Sequence, residues 1–206
     1  MRRKLLSFIV LMAMFTAYSG YLNLGIAQAA EDSDQQTIVL YVTSTITLTL
    51  ATSTINLGTL TPGTPITGNT SLTVTTNDYN GFNLQVKRDD GTSTLDLDAS
   101  PTVDFPDATA WNYSSPNSSA TPGANLSFRL METGTDAALV STTLWGADAG
   151  TKLWAGFPSS NQRVTGIDSY VGAAQNVAYE LRADAPATQQ SGQYTGTVTF
   201  TAITNP

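Results

Sequence analysis

An all-β fold, built of antiparallel strands packed as a sandwich, is predicted by three observations. Apolar residues alternate with Thr at a period of two through much of the chain, and the 33 Thr residues concentrate in those segments. A β-branched hydroxyl side chain suits a pleated surface that faces water. Turn signals separate the alternating runs, and no window of helical length carries the three-four spacing of an amphipathic helix. One-face-in, one-face-out strands of this kind build antiparallel sheets that stack on one another. Seven to nine strands in an Ig-like or jelly-roll-like arrangement are expected, with little or no helix.

The first thirty residues read as an address. Arg2, Arg3 and Lys4 precede a nearly continuous apolar run from Leu5 to Ala17, and the small-residue site Ala27-Gln28-Ala29 follows. That order is the pattern of a secretory signal peptide, and the apolar run is too short for a membrane-spanning helix. Residues 31–206 are then expected to form a single domain with no transmembrane segment after cleavage.

That domain opens on an unusually long candidate strand, residues 37–51. Its even positions from Ile38 to Leu50 keep one phase, although Ser44 interrupts their apolar character. Fully extended, it would span about 50 Å, longer than strands of globular domains usually run. After Thr43 the odd positions are Thr, whereas before it Val39 and Tyr41 are apolar as well. One bent strand, or two strands with a kink near Thr43-Ser44, that crosses between sheets of its own sandwich accounts for this. So does a segment, with Ile38, Leu40, Tyr41 and Val42 as its core, that completes a sheet in a neighbouring subunit.

Further strands follow in order. Leu72 and Val74 alternate with Thr73 and Thr75; Phe82, Leu84 and Val86 with Asn83, Gln85 and Lys87. Leu126, Phe128 and Leu130 alternate with Ser127 and Arg129; Val177, Tyr179 and Leu181 with Ala178 and Glu180. The last run sets Tyr194, Val198 and Phe200 against Thr195, Thr197, Thr199 and Thr201. Thr61-Pro62-Gly63, Asn80-Gly81, Asp89-Asp90-Gly91 and Ser191-Gly192 mark turns between them. Residues 101–123, rich in Ser, Pro and Asn, read as a long surface loop.

Composition narrows the function classes. Loss of residues 1–30 removes three of the nine Lys and Arg and none of the sixteen acids, which takes the formal charge from −7 to −10. An acidic surface without a basic stripe argues against nucleic acid and anionic lipid as partners. The chain has neither Cys nor His, so the familiar nucleophile–base arrangements and the commonest zinc ligands are missing. A non-catalytic protein without cofactors is expected.

Two candidate binding features remain. Leu144-Trp145-Gly146 and Leu153-Trp154-Ala155 flank the turn-like Asp148-Ala149-Gly150, a hairpin whose indoles, Trp145 and Trp154, either stack on sugar rings or close one end of the core. Core packing is the better reading, since large aromatic residues bury most of their area. Asp89, Asp90, Asp96 and Asp98 form a weak calcium candidate, with a spacing that matches no EF-hand loop. Asn69, Asn112, Asn117 and Asn125 each open an N-x-S/T sequon.

The C-terminal run Tyr194-Thr-Gly-Thr-Val-Thr-Phe-Thr-Ala-Ile-Thr-Asn-Pro206 resembles the last strand of the WxL domain family, with Phe200 where that family has its defining Trp and Ala202 where it has Leu. Asn56-Leu57-Gly58-Thr59-Leu60-Thr61-Pro62-Gly63, Leu72 to Asn77 and Asn80-Gly81-Phe82 are similar to openings in that family and in related bacterial surface proteins. The resemblance implies a secreted β-rich domain held noncovalently at the cell surface. Two readings are therefore expected: a surface structural or adhesion protein that associates with the cell wall or with copies of itself, and a carbohydrate- or peptidoglycan-binding module using Trp145 and Trp154.

Overall fold

The computed structural model describes residues 34–206. The expected signal peptide, residues 1–30, lies outside them. Two compact units divide the chain, Met1–Tyr41 and Val42–Pro206, and of the first only residues 34–41 are described. Those residues carry no strand or helix.

Ten strands and one helical turn make up the second unit: β1 (Ile46–Leu50), β2 (Ile66–Thr76), β3 (Phe82–Arg88), β4 (Leu95–Leu97), β5 (Ser100–Phe105), β6 (Leu126–Leu130), α1 (Thr142–Trp145), β7 (Gln162–Ile167), β8 (Gln175–Ala183), β9 (Tyr194–Thr195) and β10 (Val198–Thr204). Every strand pair is antiparallel. They form three sheets, in the orders β1-β2-β8-β6, β10-β3-β7 and β5-β4-β9. The protein is thus all-β and essentially free of helix, with short β4 and β9 taking the strand number past the expected nine.

Alternation places the core. Leu72 and Val74 of β2, Val177 and Tyr179 of β8, and Phe82, Leu84 and Val86 of β3 are buried and belong to one apolar cluster. Tyr179 of the first sheet meets Phe200 of the second, ring centroids 4.9 Å apart. Burial there pushes the Tyr179 phenol up to about 12. On the opposite face of β1 and β2 the Thr residues pair across the strands, Thr47 with Thr75 and Thr49 with Thr73.

Three expectations need correction. The strand expected over 37–51 is confined to Ile46–Leu50, because its partner runs out. Ile46 is opposite Thr76, and beyond Thr76 the chain turns. After one last backbone bond, from the Asn77 N–H to the Thr45 carbonyl, the side chains of Asn77 and Asp78 bond Thr45 and Ser44 instead. Second, the expected loop over 101–123 begins as β5 and sinks Trp111 into the core, where its Nε1–H donates to the Arg163 carbonyl at 2.7 Å. Third, β6 is buried at every position, Ser127 and Arg129 included, so its polar face is covered as well.

Candidate functional site

The sequence singled out Ile38, Leu40, Tyr41 and Val42. With Val39 they form five consecutive apolar residues between 65 and 90% exposed. Strand pairing is absent from Thr37–Thr43 among the described residues, and the chain first engages a ladder at Ile46. Ordinary surface apolar residues occur singly, and five in a row departs from that pattern. In an extended conformation its backbone would present N–H and C=O groups along both edges, with Ile38, Leu40 and Val42 on one face and Val39 and Tyr41 on the other.

The two indoles fall elsewhere. Trp145 is 1% exposed and Trp154 6%, so neither offers a face to a sugar ring. They do flank a tight turn, with the Gly150 N–H donating to the Ala147 carbonyl at 3.1 Å and that of Leu153 to the Trp145 carbonyl at 3.0 Å. The turn folds them inward: Trp145 lies 4.3 Å from the Trp111 ring and 5.3 Å from Phe128. Core packing, the better of the two sequence readings, is what the structure has, and the glycan-stacking alternative for Trp145 and Trp154 is corrected on that ground.

Nor do the four acids converge. Asp89 accepts from the Thr199 hydroxyl, Asp96 from Ser93 and Asp98 from Thr195. Asp90 closes an Asx turn on the backbone of Thr92 and Ser93, bonds that hold its carboxyl below the ordinary range. Among the described residues no group of three potential metal ligands forms. Of the four sequon residues, Asn69 and Asn112 are exposed, Asn117 is half-buried with its amide donating to the Ala110 carbonyl, and Asn125 is buried on Pro122.

A different cluster escaped sequence reading. Arg129, fully buried, donates from Nε to Glu180 at 2.9 Å, pairs with Asp148, and lies 5.8 Å over the Trp154 ring. Lys152 approaches the same Glu180 carboxylate at 2.9 and 3.1 Å. Arg129 and Glu180 face each other across β6 and β8, and Asp148 and Lys152 arrive from the turn that carries the indoles. Burial opposes a charge on Asp148, but the Thr133 and Glu132 N–H groups and Arg129 outweigh it, holding the carboxyl well below the usual range. Every charge in the cluster has an opposite partner, so its chemistry is cross-linking of β6, β8 and the turn. Only the position of Arg129 opposite Glu180 carries a signal, and it emerges once the strand register is known.

No protein-family model and no curated protein matches this chain. A shallow cavity of about 180 Å³ is lined by Tyr113, Leu139, Leu144, Arg163 and Thr165 among others. It is smaller than the clefts that enclose small-molecule ligands. Among the described residues no helix is long and apolar enough to cross a membrane.

Proposed function

We propose that this chain is a non-catalytic, secreted structural protein of the cell surface, in which the two larger sheets stack as a sandwich and Thr37–Thr43 joins one copy to the next by strand addition. The exposed run Ile38–Val42 is the observation that supports the assembly reading most strongly. Five consecutive large apolar side chains left in water are costly, at roughly 1.5–3 kcal/mol for each that a partner fully buries. The ring contact of Tyr179 with Phe200, and a core drawn from both larger sheets, support the sandwich. The pattern of residues 1–30 supports export, and the WxL-like C-terminal strand supports a place at the cell surface.

Sedimentation and electron microscopy of the secreted protein test the reading. Oligomers or filaments that grow with concentration are expected, and a chain beginning at residue 43 should give monomers with an unchanged circular-dichroism spectrum. A full-length secreted chain that stays monomeric at every concentration would count against assembly.

A further inference from the structure

If Thr37–Thr43 is an assembly strand, it needs an open edge of matching length on the receiving copy. The backbone phase of β10 supplies one. At one end the Thr197 carbonyl accepts from the Asp89 N–H at 3.1 Å, and at the other the Asn205 N–H donates to the Gly81 carbonyl at 3.2 Å. Between them the antiparallel register with β3 runs without a shift, from Val198 opposite Arg88 to Thr204 opposite Phe82. Alternate residues in such a ladder direct both backbone groups to the same side. The odd positions of β10 therefore bond β3, and Val198, Phe200, Ala202 and Thr204 turn their N–H and C=O groups away from it. Among the described residues no strand pairs with that side.

The side chains along this edge are incompletely covered too. Phe200 and Ala202 lie opposite Val86 and Leu84 and share their inward face. Yet Val86 and Leu84 are fully buried, and Phe200 and Ala202 only half-buried. Against β10 lies β1, whose inward Ile46 and Leu48 are likewise half-buried, and whose Leu50 is 42% exposed. The rim between these two strands is thus apolar and partly open.

We infer that Thr37–Thr43 of one copy adds to the free edge of β10 in a second copy, an inference that rests on the reading of that segment as an assembly strand. Seven residues meet a strand of seven. Ile38, Leu40 and Val42 cover the open rim, and Val39 and Tyr41 lie beside Thr199, Thr201 and the exposed Ile203. The other edges of the two larger sheets fit less well. Single bridges to Asp107 and Ala155 already occupy β6. At β7 the Trp111 indole already donates to the Arg163 carbonyl, and the ladder with β3 shifts register between Leu84 and Gln85. By the same phase argument β1 offers only Ile46, Leu48 and Leu50, and its own chain enters through Thr45, tied to Asn77. Donor and acceptor are different surfaces, so each copy gives one strand and takes one, and the contact runs head to tail, into a filament or a closed ring.

The chain has no Cys, so introduced thiols report without background. Secreted protein carrying Tyr41→Cys is mixed under oxidising conditions with protein carrying Thr201→Cys, Ile203→Cys or, as the comparison edge, Thr49→Cys. A disulfide needs Cα atoms within about 7 Å, so only neighbouring strands link. Covalent heterodimers with Thr201→Cys or Ile203→Cys and none with Thr49→Cys are expected. Oligomers that link only to Thr49→Cys, or to none of the three, would overturn the β10 assignment and leave strand-mediated assembly standing. Absence of oligomers would remove both. As a second variant, Ala202→Pro deletes one outward N–H at a place an edge strand tolerates. It should leave the monomer's melting temperature nearly unchanged and shift the population to monomer; oligomers at the wild-type level would likewise overturn the assignment.

Discussion

At the scale of single residues, Glu180 and Asp148 show how a polar interior is held together. Glu180 serves both Arg129 and Lys152, and Arg129 has no access to water. Glu180→Ala strands that guanidinium on Asp148 alone and should cost about 3–5 kcal/mol in urea unfolding, the usual penalty for removing one partner of a buried pair. Asp148 contributes to the acid limb of stability. Its folded-state value is depressed, so its contribution is present above the ordinary carboxylate value of about 4 and fades as pH falls below it. Asp148→Asn should therefore flatten the decline of melting temperature below about pH 4, measured by calorimetry across pH. The three indoles make a separate prediction. Trp111, Trp145 and Trp154 are all buried, so emission should be blue-shifted in the native protein and unmoved by added peptidoglycan or glycans.

Strands and turns obey more local rules, and one glycine illustrates them. Gly81, at φ +79°, turns the chain into β3, and a Cβ there would sit 2.1 Å from the Ile167 carbonyl oxygen. Gly81→Ala combines a left-handed backbone with that clash and should lower the melting temperature by at least about 2–4 °C, the shift that 1 kcal/mol produces in a domain of this size. The Asn80-Gly81 turn was legible in the sequence, as were β2, β3, β8 and β10, because apolar residues recur at alternate positions in each, set against Thr in β2 and β10. The length of β1 was not, since the place where β2 turns away decides it. Arg129 and Glu180 read as solvent-facing for a similar reason: what covers them arrives from residues 145–154, and alternation within a strand carries no trace of a lid from elsewhere in the chain. Trp145 and Trp154 were legible as a hairpin that packs inward, but its partners Trp111 and Phe128 were not, since the sequence leaves them far away.

At the scale of the whole molecule, the apolar run Ile38–Val42 and the open edge of β10 are two features of the described residues that the core does not explain. The run was visible as a change of pattern at Thr43, where Thr takes over the odd positions. The edge was hidden, because the C-terminal Thr alternation shows which way side chains point and nothing about which backbone groups remain unpaired. The attachment of β10 to the rest of the protein has a mechanical consequence. All seven of its residues are in register with β3, and beyond them the Asn205 amide clasps the carbonyls of Asn80 and Ile167 while the Asn80 amide holds the Pro206 carbonyl. Tension along β10 would load that ladder in shear, so its rungs would share the force and the clasp would keep the far end from peeling.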